Sequence, residues 1–314
     1  MTVRVGLIGT GEMARTHAAA WASLDADVTV HSRSKERGAE FATTHGFAVE
    51  HSRSALFGQV DVVDICTPTD THPVLVHEAA EAGVHVICEK PIALSLETAA
   101  EMIDHCREVG VRLFVGHTLR YFPAYAIARD VIRSGGIGEL RSMKLDRVGE
   151  FPPWATWFAE VERSGGVLVD LAIHDLDFAR WTAGEVTSVR AEVTGAGGPP
   201  MRGEARLEHA SGVISHITAV WDEPGVPFRP TFEIVGGNGS LRFDSLPTAV
   251  LLGPDGTRLW EDDGVDAYAL QLQEFAAAIE GGTDLRVTTD DAVAALRIAL
   301  AGVESARTGE DVRP

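Results

Sequence analysis

The sequence predicts an α/β fold: an N-terminal doubly wound parallel sheet, followed by an α+β domain with a large open, mostly antiparallel sheet. Three observations support this fold class. Short apolar strands alternate with helices up to about residue 119, a glycine-rich turn joins the first strand to the first helix, and successive strands separated by turn residues dominate the rest. We therefore predict two domains, residues 1–119 and residues 120–314.

The first element is an apolar strand over residues 3–8, followed by a glycine-rich turn and an alanine-rich helix. Gly9 permits a tight turn, Gly11 lets backbone N–H groups approach a pyrophosphate, and Ala14 keeps the helix close to the strand. The helix N-terminus adds free N–H donors and a positive dipole end. This pattern predicts a dinucleotide-binding turn, with an ordinary strand–helix turn as the alternative. The predicted cofactor contacts are Gly9, Thr10, Gly11, Glu12 and Met13.

The other elements follow from apolar runs bounded by capping and turn residues. In the N-terminal part, the predicted strands are 27–32, 61–67, 84–89 and 112–116, and the predicted helices are 35–45, 73–82 and 96–109. In the C-terminal part, helices are predicted at 125–133, 167–182, 267–280 and 290–305. Strands are predicted there at 141–147, 186–194, 202–209, 213–220, 231–235, 240–243 and 249–252.

Polar residues directly follow the predicted N-terminal strands, at the edge where parallel sheets bind ligands. These residues are Thr67, Pro68, Glu89, Lys90 and His117. Pro91 disfavours helical geometry at Lys90, so Lys90 is expected to project from the sheet edge. A lysine at this place can hydrogen-bond a substrate hydroxyl or move a proton. The alternative is a surface lysine that ends a strand.

The residues after the second predicted strand indicate which nicotinamide cofactor fits. An acidic residue at this place binds the adenosine ribose diol and would repel a 2′-phosphate. Ser32 occupies that place and Arg33 follows it, and this hydroxyl and guanidinium together suit a phosphate. We therefore predict NADP in preference to NAD. The alternative interpretation of Arg33 is a solvated loop charge.

A second polar group lies in the predicted helix over residues 167–182. At about 100° per residue, Asp170, His174, Asp177 and Trp181 fall within an arc of roughly 60°, flanked by apolar residues. A buried histidine beside a carboxylate suits proton transfer, since the carboxylate fixes the imidazole tautomer and tunes its pKa. A structural His–Asp pair between the two domains explains the pattern equally well. A metal site is disfavoured, because no third ligand lies at a suitable spacing.

Two further segments are candidates for substrate contact. Arg120 and Tyr121 lead out of the predicted parallel sheet and either bind a polyhydroxylated substrate or pack at a hinge. Trp154 and Trp157 lie in a proline-containing loop, where indole faces suit sugar rings and a core position is an equal alternative. With the strand-end histidine, the predicted substrate contacts are His117, Arg120, Tyr121, Trp154 and Trp157.

Composition limits the classes of partner and the cellular compartments that the sequence suits. The net charge of −19 disfavours nucleic acid and anionic membranes as partners. No apolar run approaches the ~20 residues of a membrane span, and the N-terminal apolar residues fit a strand better than a signal peptide. The three cysteines lack metal-type spacing and are expected to be reduced thiols, so we expect a cytoplasmic protein.

These motifs resemble those of the glucose–fructose oxidoreductase / inositol dehydrogenase / rhizopine-catabolism (Gfo/Idh/MocA) family. The resemblance covers essentially the whole chain. Its carriers are the turn at residues 6–14, Cys66-Thr67-Pro68 with His72, Glu89-Lys90-Pro91, and the helix with Asp170 and His174.

The resemblance implies a Rossmann domain followed by a C-terminal α/β domain whose open sheet carries homodimer or homotetramer contacts. It implies that Lys90 polarises the reacting hydroxyl, that His174 is the general base, and that Asp170 binds substrate and supports His174. It also places Thr67 and Glu89 near the nicotinamide ribose, and Pro68, His72 and Lys90 complete the predicted cofactor contacts. Family members often have an acid where this chain has Ser32, which leaves NAD as the second choice.

The leading expectation is an NADP-dependent oxidoreductase that transfers a hydride between the nicotinamide and a carbinol or carbonyl carbon of a sugar, cyclitol or related polyol. One alternative is a non-catalytic NAD(P)-binding regulator of the same fold, since fold does not settle function. Another is a reductase of dihydrodiols, tetrapyrroles or imines. The presence of Lys90, Asp170 and His174 together favours an enzyme, because a regulator does not need groups that handle protons.

Overall fold

The computed structural model describes residues 2–195, 198–282 and 285–314. Up to residue 116 the chain alternates strands and helices. These are β1 (Arg4–Ile8), α1 (Glu12–Ser23), β2 (Asp27–His31), α2 (Lys35–His45), β3 (Ala48–Val49), α3 (Arg53–Phe57), β4 (Val62–Ile65), α4 (His72–Glu81), β5 (His85–Glu89), α5 (Leu96–Glu108) and β6 (Leu113–Gly116).

The second half begins with a helix and a long strand, continues through three short helices and a series of strands, and closes with two helices. These are α6 (Pro123–Arg133), β7 (Leu140–Glu150), α7 (Val161–Ser164), α8 (Gly166–Asp170), α9 (Ile173–Ala183), β8 (Val186–Thr194), β9 (Met201–His209), β10 (Ile214–Asp222), β11 (Arg229–Gly236), β12 (Gly239–Asp244), β13 (Val250–Leu252), β14 (Arg258–Glu261), α10 (Ala267–Gly281) and α11 (Thr289–Thr308). Over the described ranges, no helix combines the length and the apolar character that crossing a membrane requires.

The first six strands form one parallel sheet in the order β3-β2-β1-β4-β5-β6. This order reverses between β1 and β4, so the carboxyl ends of these two strands flank the crevice where doubly wound sheets bind ligands. The predicted doubly wound sheet is confirmed. β3 and α3 were not predicted as elements, because a two-residue strand and a five-residue helix leave little periodicity in a sequence.

Contacts between residues divide the chain into two compact units, and one segment departs from the predicted domains. The first unit contains residues 1–118 and also Asp266–Val293. In this unit α10 packs on α1, and Leu272 and Phe275 belong to the same buried cluster as Trp21. The assignment of all of residues 120–314 to the second domain is therefore wrong for this segment, because its apolar helix face completes the core of the parallel-sheet unit.

The second unit contains an eight-stranded sheet in the order β14-β13-β12-β11-β7-β10-β9-β8. Its pairs are antiparallel except β7 with β10, which confirms the predicted mostly antiparallel sheet. Burial alternates along β9, as expected for a sheet with one covered face. Helices α6, α8 and α9 cover that face.

The predicted helix over residues 167–182 is broken in the structure. α8 ends because the N–H groups of both Leu171 and Ala172 donate to the Val167 carbonyl, and α9 begins when Asp175 donates to the Ala172 carbonyl. The prediction of one continuous helix is therefore wrong. Asp170 and His174 lie on two successive short helices rather than on one helical face.

Candidate functional site

The glycine-rich turn lies at the carboxyl end of β1, beside the point where the strand order reverses. Gly9 has a φ of 127°, and a Cβ built there would lie 2.4 Å from the carbonyl oxygen of Cys66, which follows β4. Only glycine combines this backbone conformation with so close an approach. The turn predicted from the sequence is therefore a tight contact between the ends of β1 and β4.

Gly11 opens the N-terminus of α1. It caps the helix without a side-chain hydrogen bond, and a Cβ built there would meet no described atom within 4 Å. Glu12, in the first turn, is exposed and pairs with Arg15 at 2.7 Å, while Thr10 and Met13 are half-buried. Because Gly11 has no side chain, the space beside the first-turn amides of α1 stays open. These amides can donate hydrogen bonds to a ligand there, and this arrangement fits the pyrophosphate of a dinucleotide.

His72 connects two of the loops at the carboxyl edge of the sheet. Its Nδ1 lies 3.0 Å from the Pro91 carbonyl oxygen and its Nε2 lies 3.0 Å from the Thr67 carbonyl oxygen. Burial lowers the pKa of His72 and favours the neutral ring. The sequence predicts His72 as a cofactor contact. The structure shows it wholly buried against these carbonyls, where it fixes the loops that carry Thr67 and Pro68.

Glu89 and Lys90 lie together at the end of β5. The buried Glu89 carboxylate accepts a hydrogen bond from the Lys90 backbone N–H, with 3.1 Å between Oε2 and N. On the neighbouring strand β6, a Cβ at Gly116 would lie 2.8 Å from Glu89 Oε1, so glycine leaves the room that this carboxylate occupies. Lys90 itself is half-buried. The carboxylate therefore anchors the main chain that carries the candidate catalytic lysine.

A buried polar cluster lies behind Glu89 and joins α1, β4 and β5. His17 Nδ1 lies 2.8 Å from Asp64 Oδ2, and His17 Nε2 lies 3.1 Å from Glu89 Oε1. Trp21 Nε1 donates to Asp64 Oδ2 at 2.7 Å. Burial alone would lower the pKa of His17, but the Asp64 carboxylate outweighs it and raises that pKa well above its usual value.

His17, Asp64 and Cys66 also form a group whose potential metal-ligating atoms lie within 4.8 Å of one another. His17 Nδ1 lies 2.8 Å from the carboxylate and 3.4 Å from the Cys66 sulfur, and burial raises the pKa of the Cys66 thiol. The three side chains already contact one another, and they are one ligand short of the four that structural zinc sites have. We therefore interpret this cluster as a hydrogen-bond network.

The residues predicted to select the cofactor follow β2. Ser32 is half-buried and Arg33 is exposed. The Ser34 side chain caps α2, because its oxygen accepts from the Arg37 N–H, and it also donates to Glu36. The hydroxyl of Ser32 and the guanidinium of Arg33 thus remain the candidate contacts for a 2′-phosphate.

In the second unit, the candidate proton-handling residues lie where α8 ends and α9 begins. Asp170 is buried at the end of α8, and His174 is half-buried in the first turn of α9. A carboxylate and an imidazole in one short segment can support proton transfer. The sequence thus identified two neighbouring residues, although it assigned them the wrong helix geometry.

Two buried ion pairs hold α9 in place. Arg147, from β7, contacts the Asp175 carboxylate through two bonds of 2.7 and 2.8 Å. Arg120 contacts Asp177 in the same manner, at 2.8 and 2.6 Å, and its guanidinium also lies 5.2 Å from the centre of the Trp181 ring. Such paired bonds fix orientation as well as distance. They position the helix that begins with His174.

These pairs change the interpretation of several predicted site residues. Arg120 and Tyr121, candidates for substrate contact or for packing, are each 1% exposed, which favours the packing alternative. Asp177 is likewise wholly buried, against Arg120. The prediction that Asp170, His174, Asp177 and Trp181 share one helical arc is wrong for Asp170, because Asp170 lies on α8 and the other three lie on α9.

The remaining candidates differ in exposure. His117, directly after β6, is buried. Trp154 is 59% exposed, so its indole face is available to a ligand. Trp157 is half-buried and stacks on Phe158, with 4.1 Å between ring centres. Of the predicted aromatic pair, Trp154 is therefore the better candidate for contact with a sugar ring.

The chain matches two family models along most of its length. The Gfo/Idh/MocA oxidoreductase family, with an NAD-binding Rossmann fold, matches residues 3–117, and the Gfo/Idh/MocA C-terminal domain matches residues 125–242. The chain belongs to the Gfo/Idh/MocA family. The family resemblance predicted from the motifs is therefore confirmed, and the protein is a member of an oxidoreductase family.

Similar proteins include two Gfo/Idh/MocA relatives aligned over nearly all of both chains. The chain is 32% identical to the 1,5-anhydro-D-fructose reductase of Ensifer adhaerens, over 98% of this chain and 97% of that protein. It is 30% identical to the inositol 2-dehydrogenase of Rhizobium meliloti, over 97% of each. Among solved structures, levoglucosan dehydrogenase in complex with NADH and levoglucosan matches with a TM-score of 0.87 and 25% identity, covering 100% of this chain and 99% of that one.

Sequence reasoning missed the buried cluster around His17. One signal was available, because Asp64 interrupts an otherwise apolar strand and a buried carboxylate requires a partner. The partner could not be found by spacing, since His17 lies 47 residues away in the chain.

Proposed function

We propose that this Gfo/Idh/MocA protein is an NAD(P)-dependent dehydrogenase acting on a CH–OH group of a sugar, a cyclitol or a related polyol. One observation carries the proposal: Glu89 anchors Lys90 at the carboxyl edge of a Rossmann sheet. The names of the relatives support the substrate class, because they describe a sugar reductase and an inositol dehydrogenase.

The cofactor contacts in this proposal are the glycine-rich turn and the strand-end loops. Gly9 and Gly11 provide the close backbone approach, and the α1 amides provide donors for the pyrophosphate. The turn itself adds Thr10, Glu12 and Met13. The carboxyl ends of β4 and β5 and the loops that follow them supply the remaining contacts, which are Thr67, Pro68, Glu89 and Lys90. His72 acts on the cofactor indirectly, by fixing two of those loops.

Oxidation of a carbinol removes a hydride from its carbon and a proton from its hydroxyl. A bound nicotinamide supplies the acceptor for the hydride. Lys90 donates a hydrogen bond to the reacting oxygen and stabilises the charge that develops there. His174 accepts the hydroxyl proton, and Asp170 supports the imidazole in the required orientation. In the direction of reduction, His174 returns the proton.

The test is absorbance-monitored turnover of both cofactors across a panel of sugars and cyclitols. Lys90→Met should lower kcat about 10²- to 10⁴-fold, the usual contribution of a group that handles protons. The control is Arg133→Met, which removes an exposed basic side chain at the end of α6 and should leave kcat unchanged. Near-normal turnover by Lys90→Met would refute the catalytic assignment. His174→Gln should flatten the pH dependence of oxidation.

Two other functions have distinct outcomes in the same experiment. Tight cofactor binding without turnover of any compound would indicate a non-catalytic regulator. Turnover confined to a dihydrodiol, a tetrapyrrole or an imine added to the panel would indicate a reductase of those compounds instead.

The preferred cofactor in this proposal is NADP. Ser32 in place of an acid, followed by the exposed Arg33, supports a site for the 2′-phosphate. Ser32→Asp should weaken NADP(H) binding and spare NAD(H), since a carboxylate repels the phosphate. The measurement is the ratio of dissociation constants. If NAD(H) binds the unaltered protein more tightly than NADP(H), the preference is wrong.

We also propose that the protein is a homo-oligomer that associates through the second sheet. The outer surface of this sheet carries charged pairs of both signs, such as Lys144 with Asp146 and Arg242 with Glu233. Alternating charges of this kind suit a second copy of the same surface. Light scattering should give the molar mass of a dimer or tetramer, and Arg242→Glu should weaken the association between copies. A monomer at micromolar concentration would contradict the proposal.

A further inference from the structure

His17 lies between two buried carboxylates. Its Nδ1 is 2.8 Å from Asp64 Oδ2, and its Nε2 is 3.1 Å from Glu89 Oε1. The first contact is a hydrogen bond, whereas the second has the distance of an ion pair without hydrogen-bond alignment. A doubly protonated ring presents an N–H to each carboxylate, whereas a neutral ring turns a lone pair toward one of them, so the arrangement favours the imidazolium.

Glu89 continues this chain of contacts to the main chain of Lys90. One carboxylate oxygen faces His17, and the other accepts the backbone N–H of Lys90 at 3.1 Å. Gly116 closes the space on the β6 side, since even a methyl group there would lie 2.8 Å from Oε1. The Glu89 side chain is thus confined by an imidazole on one side and by a strand on the other, and its far oxygen holds the residue that follows β5.

We propose that His17 is a positioning residue of this enzyme, an imidazolium that holds the Glu89 carboxylate in place and thereby fixes the main chain of Lys90. The inference rests on the proposed role of Lys90 in catalysis. It assigns His17 no contact with substrate or cofactor, because His17 is 0% exposed.

The surroundings of His17 favour the charged ring. Asp64 and Cys66 face it from the end of β4, Glu89 faces it from β5, and the Tyr268 ring of α10 lies 5.8 Å away. Trp21, on the same helix as His17, donates to Asp64 and keeps that carboxylate oriented. Burial opposes the charge on His17, but the Asp64 carboxylate outweighs it and raises its pKa. A protonated His17 therefore lies between two carboxylates that balance its charge.

The first test uses nuclear magnetic resonance of the unaltered protein. The chain contains twelve histidines, and His17 should keep both ring nitrogens protonated at pH 8, well above the usual histidine pKa. Its signals are assigned by their loss in His17→Gln. A neutral tautomer of His17 at pH 7 would overturn the proposal, and this measurement depends on neither catalysis nor substrate identity.

The second test monitors the Lys90 amide directly. The chain has three lysines, Lys35, Lys90 and Lys144, so ¹⁵N-lysine labelling gives three assignable backbone amide signals. In His17→Gln the Lys90 amide should move upfield as its hydrogen bond to Glu89 weakens, while the other two should stay in place. An unchanged Lys90 signal would overturn the proposal. If His17→Gln does not fold, Glu89→Gln provides the same comparison.

Kinetics then separates positioning from general stability. His17→Gln and Glu89→Gln should each lower kcat about 10- to 100-fold, the range expected when a reacting group is misplaced. In His17→Gln the cofactor dissociation constant should stay nearly unchanged, because His17 is wholly buried. The double variant should be no slower than the slower single variant, because both act through one contact. His209→Gln is the matched control, since His209 is a buried histidine of the second unit bonded to Gly184 and Ser215. Multiplicative losses in the double variant would overturn the coupling.

These outcomes are distinguishable from a failure of the proposed function. If Lys90→Met retains full activity, Lys90 is not catalytic, and the amide and imidazole signals still report whether His17 positions its main chain. If Lys90→Met is inactive and His17→Gln is fully active, the catalytic role survives and the positioning role fails.

Discussion

Alanine substitutions at the two glycines of the β1–α1 turn should affect different properties. Gly9→Ala should lower the free energy of unfolding, whereas Gly11→Ala should weaken cofactor binding. Gly9→Ala places a methyl group 2.4 Å from the Cys66 carbonyl oxygen at a φ of 127°. Such a backbone conformation costs a non-glycine residue about 1–3 kcal/mol. Relief of the overlap requires main-chain movement at a further cost of about 1–3 kcal/mol. The free energy of unfolding should therefore fall by about 2–6 kcal/mol.

Gly11→Ala is the matched control for stability. Gly11 has a φ of −84°, which alanine adopts without strain, and its built Cβ meets no described atom within 4 Å. A weaker N-cap and a less flexible unfolded chain nearly cancel, so the free energy of unfolding should change by less than about 1 kcal/mol. The methyl group enters the space assigned to the pyrophosphate, so the cofactor dissociation constant should rise about tenfold or more, equivalent to about 1.4 kcal/mol.

Urea unfolding and calorimetric titration with the cofactor measure these two quantities on the same samples. Gly9→Ala should lose stability, and Gly11→Ala should lose affinity while keeping its stability. A Gly9→Ala protein as stable as the unaltered one would refute the steric reasoning. A Gly11→Ala protein that binds the cofactor normally would refute the assignment of this turn to the pyrophosphate.

Three further predictions concern other parts of the molecule. Asp175→Asn leaves the buried Arg147 guanidinium without its carboxylate, so the free energy of unfolding in urea should fall by about 3–5 kcal/mol. A fall below about 1 kcal/mol would contradict the role of this pair. His72 has a folded-state pKa below its usual value of 6.5, so the unfolded state takes up its proton first and stability should fall as pH drops below about 6.5. His72→Asn should make that pH dependence shallower in thermal unfolding at pH 5 to 7, and an unchanged slope would contradict it. Trp154→Ala should change the free energy of unfolding by less than about 0.5 kcal/mol, because the indole is 59% exposed. The same variant should have a higher KM for a sugar substrate, and an unaltered KM would remove Trp154 from the candidate site.

Much of the fold was predictable because local signals and tertiary packing agree. The predicted helix over residues 35–45 has the bounds of α2, with Ser34 as its N-cap and Gly46 in the left-handed conformation at its end. β8 was likewise predicted at its observed bounds. β14 was missed, because its four residues are mostly exposed and alternate too briefly to stand out.

In the candidate site, too, the residues with local sequence signals were predicted and the contacts between distant residues were not. Lys90 and Glu89 were found because strand ends of a parallel sheet converge, a rule that needs no side-chain contacts. The break after Asp170 escaped prediction, since Val167–Val169 and Leu171 read as the apolar turns of one helix. The pairs Arg120 with Asp177 and Arg147 with Asp175 join residues 57 and 28 positions apart, and a sequence carries no local trace of them.

The packing of α10 on α1 has a consequence for dividing this protein into parts. A fragment that stops after β6 would lack Leu272, Phe275 and Ala278, and would expose Trp21 and Phe114 to water. Such a piece should aggregate when expressed alone. A soluble nucleotide-binding fragment would need residues 266–293 joined to it through a linker. A chimera with another family member would likewise have to exchange both stretches of the first unit together.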